Sequence, residues 1–309
     1  MRPTHLLGIE ALGADEIDRV LRGARALREI LRGPSKKADF LRGKTVINCF
    51  FENSTRTRVS FELAAKILGA DAINWSASGS SQSKGESLQD TVRTLEAMRP
   101  DVLVIRHAAS GAAEFVARRV GCAVINAGDG AHEHPTQALL DVLTLEDHVG
   151  SLQGKRVAIV GDVAHSRVAR STSLALLRRG ASVRLCGPKT MLPPVAWKGC
   201  EMVADLRAGL ADADAVVLLR IQTERIHESL FPSAREYARF FGLSRHTLGW
   251  LKEGAVVLHP GPINRGVEIE PEVADGPRSL ILHQVESGVA VRMAVLLRAV
   301  GRLEETLHA

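Results

Sequence analysis

Short apolar runs alternate with amphipathic stretches along almost the whole chain, the order expected of parallel sheets wrapped in helices. Apolar runs at residues 44–51, 70–75, 101–106 and 122–126 predict strands in the first half, and runs at 156–161, 182–186, 215–219 and 255–258 predict them in the second. Each set suffices for a sheet of its own. Between Thr136 and Val149 the apolar positions Ala138, Leu139, Val142, Leu143 and Leu145 keep helical spacing, and GSLQG at 150–154 then breaks it. The expected organisation is therefore α/β with two domains, each a parallel sheet flanked by helices. The first covers 1–149, the second 150–284, and a C-terminal helical stretch over 285–307, within a final segment 285–309, is long enough to return to the first domain.

Composition narrows the class. The 309 residues amount to about two ordinary domains, and at 45% apolar and 24% charged they can bury two cores, which excludes disorder, collagen and disulfide scaffolds. No apolar run approaches a membrane span of roughly 18 residues, and the start MRPTH lacks the apolar core of a signal peptide. The expectation is a soluble cytoplasmic protein with no membrane partner. Lys and Arg total 40 against 35 Asp and Glu, but they are scattered rather than blocked, which points away from nucleic acid and toward small acidic ligands. Cys49, Cys122, Cys186 and Cys200 show no CxxC or CxxH spacing, so they are expected to be reduced, mostly buried and not metal ligands.

The most informative stretch is FFENSTRTRVSFE at 50–62. A β-branched and aromatic strand ends at Phe51, polar residues follow, and Val59, Leu63 and Ile67 with Ala64 and Leu68 mark a helix that stops at Gly69. Ser54, Thr55, Arg56 and Thr57 thus sit at a helix N-terminus, where unpaired N–H groups, hydroxyls and a guanidinium together suit a phosphate. An ordinary Ser/Thr N-cap beside an exposed Arg explains one hydroxyl, but not the whole STRTR series.

This segment resembles the phosphate signature of the carbamoyltransferases, and the likeness continues in that family's order. Arg106 and His107 end a strand, HPTQALLD at 134–141 opens a helix, and RIQTER at 220–225 and HPGP at 259–262 follow. The resemblance implies the aspartate/ornithine carbamoyltransferase fold. Within the family, RIQTER and HPGP look like the aspartate-accepting members, whereas the HCLP loop and the Asp-rich motif with SMG of the ornithine enzymes do not occur. Physical logic agrees, since the two carboxylates of aspartate want cations, and the second half supplies Arg167, Arg220 and the amide of Gln222.

The resemblance implies transfer of a carbamoyl group from carbamoyl phosphate to the amine of L-aspartate, an early step of pyrimidine synthesis, with no metal, redox step or cofactor. Ser54, Thr55, Arg56, Thr57 and Arg106 would hold the phosphate. Thr57, Arg106 and His134 would stabilise charge on the carbonyl oxygen, and Gln137 with the loop at Gly261 and Pro262 would accept from the carbamoyl amide. Arg167, Arg220, Gln222 and Lys84 would bind aspartate, and Lys84 would join Thr57, Arg106 and His134 as a catalytic residue. Taken alone, His134 reads more readily as a helix cap or core residue, and HPGP as an ordinary turn.

Two segments depart from simple patterns. GDVAHSR at 161–167 follows a strand and precedes a helix but lacks the glycines of a dinucleotide loop, and Ala164-His165-Ser166 stands where some family members have Lys-Tyr-Gly. SGSSQSKGE at 78–86 reads as a polar loop; in the family the corresponding loop enters a neighbouring subunit's active site. KGESLQDT at 84–91 matches without a gap and makes Lys84 its lysine, while Ser80, Ser81 and Ser83 all remain open as its serine. The implied partner is a second and third copy of the chain, in a homotrimer with shared sites; membership of a larger assembly with regulatory or dihydroorotase chains is left open. The competing readings are a carbamoyltransferase for another amine such as ornithine, and a catalytically silent scaffold.

Overall fold

The computed structural model describes residues 4–76, 86–221 and 233–307. In chain order, the first half carries α1 (Ala14–Arg32), β1 (Thr45–Phe50), α2 (Thr55–Ile67), β2 (Asp71–Ser76), α3 (Leu88–Ala97), β3 (Val102–His107), α4 (Ala112–Ala117), β4 (Ala123–Asp129) and α5 (Pro135–Val149). The second carries β5 (Arg156–Val160), α6 (Arg167–Arg178), β6 (Ser182–Cys186), β7 (Cys200–Val203), α7 (Leu206–Leu210), β8 (Ala215–Leu218), α8 (Ala234–Phe241), α9 (Arg245–Leu248), β9 (Val256–Leu258), α10 (Pro271–Ala274) and α11 (Ile281–Ala299). Contacts group these into two compact units, one up to Leu140 together with everything from Glu286 onward, the other Asp141–Val285.

In the first unit the strand order is β2-β1-β3-β4, and in the second β7-β6-β5-β8-β9, with every strand pair parallel. Parallel strands buried on both faces explain why the sequence shows unbroken apolar runs rather than alternation. Ile47, Cys49, Leu103, Ile105 and Val124 pack with Val92, Leu95 and Val116 on one face of the first sheet. Ala158, Val160, Val216, Leu218 and Val257 pack with Leu210, Tyr237 and Phe241 in the second unit. All eight expected strands are present, with ends shifted by at most three residues.

The structure adds one strand and corrects one helix. β7 was not anticipated, because its four residues are mostly half-exposed and follow Gly199 directly. The C-terminal helix does not run over 285–307: it begins at Ile281 and ends at Ala299, and Gly301 at φ +75° breaks it before a single 3-10 turn at Leu303–Thr306. The apolar spacing continues past the break because Leu303 packs on α1, where a Cβ on Gly23 would lie 2.6 Å from Leu303 Cδ1. The cysteines are all free thiols, Cys49 and Cys186 buried, Cys122 and Cys200 half-buried. Among the described residues no helix is long and apolar enough to cross a membrane.

Candidate active site

Loops at the C-terminal ends of parallel strands are the usual place for ligand chemistry in such sheets. In the first unit β1 runs into α2 through residues 51–54. Ser54 is the N-cap at φ −161°, yet its hydroxyl makes no capping hydrogen bond, and no acidic residue occupies the first turn. The helix dipole is therefore not neutralised from within. Thr55 and Arg56 are exposed and Thr57 is buried.

The register β1–β3 sets Arg106 opposite Phe50, and Phe51 N donates to Arg106 O at 2.9 Å. This pairing brings the guanidinium to the same edge as the start of α2. Arg106 Nη1 donates to Ala127 O at 3.2 Å, and Nε lies 3.5 Å from Glu52 Oε2. Next to it, His107 packs its ring 5.3 Å from that of Phe51 and accepts the Ala109 N–H through Nδ1 at 2.9 Å. Burial holds its pKa below the ordinary imidazole range, opposed by the charge of Asp129.

His134 reaches this edge from β4. The turn between is tied by Asp129, whose carboxylate accepts from Gly111 N at 2.6 Å, Asn126 Nδ2 at 2.8 Å and Glu133 N at 3.1 Å. Glu133 in turn accepts the Ile9 and Glu10 N–H groups at 2.9 and 3.2 Å, anchoring the residue beside His134 to the chain start. His134 is 4% exposed, and its carbonyl takes the first helical hydrogen bonds of α5 from Gln137 N at 3.0 Å and Ala138 N at 3.2 Å. Pro135 follows it at the helical position that needs no N–H donor.

The second unit repeats the arrangement with other chemistry. β5 ends at Val160, and Gly161 takes φ +136° where a Cβ would lie 2.8 Å from Leu219 Cβ, so no larger residue fits the approach to β8. Asp162 Oδ1 brackets the following turn with His165 Nδ1 at 2.8 Å, and Ser166 caps α6 by accepting Ala169 N at 3.1 Å. Arg167 is the first residue of α6 and is buried; Arg220 lies two residues beyond β8 and is half-buried. After β9, His259 N donates to Gln284 Oε1 at 2.9 Å and Gly261 N donates to His259 Nδ1 at 2.7 Å. Pro260 and Pro262 have no N–H and that of Gly261 is taken, so the run 260–262 has only carbonyl oxygens left to offer. The Gly261–Pro262 peptide is cis.

Comparison with known proteins decides the family. Residues 4–147 match the carbamoyl-P binding domain, and residues 153–299 the Asp/Orn binding domain, of aspartate/ornithine carbamoyltransferases. The chain belongs to this family. It is 57% identical over 310 residues to the aspartate carbamoyltransferase catalytic subunit of Anaeromyxobacter sp. (strain K), covering 100% of this chain and 99% of that protein. The crystal structure of Trypanosoma cruzi aspartate transcarbamoylase in complex with carbamoyl phosphate and aspartate superposes with a TM-score of 0.85 at 30% identity, covering 96% of each chain. Pyrococcus furiosus ornithine carbamoyltransferase superposes equally well, at 0.86 with 27% identity and 96% coverage of each chain. The fold is thus common to both acceptor classes, and the identities favour the aspartate branch.

Of the residues singled out in the sequence, Ser54, Thr55, Arg56, Thr57, Arg106, His134 and Gln137 come together at one edge of the first sheet, and Arg167, Arg220, Gly261 and Pro262 lie at the corresponding edge of the second. Lys84 and Gln222, with Ser80, Ser81 and Ser83, lie outside the described residues. Glu52, Asp129, Glu133, Glu268 and Gln284 carry much of the local geometry and were not anticipated. Among the described residues no group of three His, Cys, Asp or Glu side chains is placed to hold a metal ion.

Proposed function

We propose that the chain transfers the carbamoyl group of carbamoyl phosphate to the amino group of L-aspartate, giving N-carbamoyl-L-aspartate and phosphate, the committed step of de novo pyrimidine biosynthesis. The amine lone pair of aspartate forms a bond to the carbonyl carbon, the carbonyl oxygen takes up negative charge, and the C–O bond to phosphate breaks as that charge returns, the proton lost by the amine nitrogen going to the departing phosphate. The observation that carries the reading is the α2 N-terminus, an uncapped first turn without acidic residues and with hydroxyls and Arg56 at its start, set beside Arg106 and His134 at one sheet edge.

In this reading Ser54, Thr55, Arg56, Thr57 and Arg106 bind the phosphate dianion, and Thr57, Arg106 and His134 are donors in place before charge develops on the carbonyl oxygen. Gln137 and the carbonyl-only run at Pro260, Gly261 and Pro262 accept from the carbamoyl amide. Arg167, Arg220, Gln222 and Lys84 bind the aspartate carboxylates. No redox change is involved.

The working form is a homotrimer in the cytoplasm, with Lys84 supplied to a neighbouring site. What supports self-association is apolar surface left open among the described residues: Val59 and Leu63, one turn apart on α2, and Ile73 on the edge strand β2 are 51%, 41% and 49% exposed. The test is a direct assay with carbamoyl phosphate and either aspartate or ornithine. Turnover confined to aspartate is expected, and an equal or faster rate with ornithine overturns the acceptor assignment.

A further inference from the structure

His259 and Glu268 form a fully buried pair in the second unit, their side chains 0% and 1% exposed, with Nε2 and Oε1 3.0 Å apart. The ring's proton can be placed from geometry alone. A backbone N–H can only donate, so the Gly261 N–H at 2.7 Å requires a bare Nδ1. The imidazole proton therefore sits on Nε2 and is donated to Glu268.

The same Glu268 oxygen also accepts the Asn264 N–H at 2.8 Å, so one atom ties down both ends of the run 259–264. Asn264 Nδ2 reaches on to Ile221 O at 3.0 Å, the residue after Arg220. Behind His259 the order of donors is fixed as well. Gln284 Oε1 accepts the His259 N–H, so its Nε2 faces Asp141 Oδ1 at 2.7 Å, and Thr172 Oγ1 donates to Asp141 Oδ2 at 2.9 Å. His259, Glu268, Gln284, Asp141 and Thr172 are buried, and Asn264 is half-buried.

The other oxygen, Glu268 Oε2, is buried with no hydrogen-bond partner among the described residues. A carboxylate half unsatisfied in the core is costly. Stability alone does not account for it, since apolar packing of the same volume avoids that cost.

We propose that Glu268 is a positioning residue for recognition of the carbamoyl group: it keeps His259 in the Nε2–H tautomer, Nδ1 holds the Gly261 N–H, and the carbonyl oxygens of the 260–262 run stay free for the carbamoyl amide. The inference rests on the carbamoyl transfer proposed above. It requires that the pair act on the carbamoyl end of the substrate and leave phosphate binding alone, because the phosphate ligands belong to the other unit.

Glu268→Met keeps the volume and removes the acceptor, while Glu268→Gln keeps an oxygen able to accept from both His259 and Asn264. Expected for Glu268→Met is a rise of about tenfold or more in the half-saturating carbamoyl phosphate concentration, the usual scale for losing a buried hydrogen-bond partner. Inhibition by inorganic phosphate should change less than about twofold. Glu268→Gln should recover most of the loss. Equal weakening of phosphate and carbamoyl phosphate, or no change in either, overturns the proposal. If Glu268→Met does not fold, two His259 variants decide instead. His259→Asn places an acceptor near the position of Nδ1, His259→Gln one near Nε2; better retention of carbamoyl phosphate binding by the Asn variant is expected, and the reverse order overturns it. A wild-type chain without carbamoyl transfer would instead refute the proposed function.

Discussion

Arg106 and Glu52 face one another at the C-terminal edge of the first sheet with Nε and Oε2 3.5 Å apart, each side chain only 12% exposed. A pair so far out of water depends on both partners, because either one left alone is an uncompensated charge. The same guanidinium is the proposed ligand of a phosphate dianion. On the proposed reading Arg106 would serve stability through Glu52 and substrate binding through its remaining donors, two roles that mutation can separate.

Arg106→Ala should lower carbamoyl phosphate-dependent kcat/KM by about 10²-fold or more, as for loss of a donor to developing negative charge, and should lower the unfolding free energy as Glu52 is stranded. Adding Glu52→Gln removes the stranded charge. The double variant should regain much of the stability by chemical denaturation but none of the activity. Recovery of activity in the double variant would show that Arg106 acts only as a counter-ion.

Arg220 belongs to the unit that carries the proposed aspartate ligands. Arg220→Ala should raise the aspartate concentration for half-saturation steeply while carbamoyl phosphate affinity stays within about tenfold, ~1.4 kcal/mol. Calorimetric titration of carbamoyl phosphate into the variant checks this, and a larger loss would mean that Arg220 contacts the first substrate.

The strands and the motif residues were legible in the sequence because both are local. A run such as VLVIRH in β3 needs no partner to be recognised, and the STRTR series stands out at a helix start by composition. What stayed hidden is long-range. Glu133 bonds to Ile9 and Glu10 across more than 120 residues, and Gln284 to Asp141 across 143, so no spacing announces either. β7 escaped for a different reason: as an edge strand it buries little, and CEMV carries too few apolar residues to stand out. The misplaced end of the last helix shows periodicity outlasting the helix itself, since Leu303 keeps the apolar spacing from within a 3-10 turn.

Two histidines predict an acid-sensitive first unit. His5 Nδ1 accepts the Val124 N–H at 3.1 Å, and burial with the charge of Arg298 lowers its pKa from the ordinary 6.5; burial lowers that of His107 as well. A base with a lowered folded pKa binds its proton first in the unfolded chain. Stability should hence be flat above 6.5 and fall as pH drops below it toward the folded values. Urea melts between pH 7.5 and 5.5 should show that slope, reduced in His5→Asn with His107→Asn, where an amide oxygen accepts without titrating. An unchanged slope in the double variant would place the acid sensitivity elsewhere.

The sharpest test of shared sites uses two variants that fail for different reasons. If Lys84 acts in a neighbour's site, Lys84→Ala spoils the site next door and His134→Ala spoils the chain's own, so each homotrimer is nearly inactive. Mixed trimers differ. Wherever a chain with intact His134 receives the loop of a chain with intact Lys84, a complete site reappears, and the number of such sites follows from the mixing ratio. Unfolding and refolding the two variants together, separating hybrids by a charge tag and measuring carbamoyl aspartate should give activity well above that of either parent. Activity no greater than the sum of the parents would mean that Lys84 serves its own chain, and the trimer would then lose its catalytic reason.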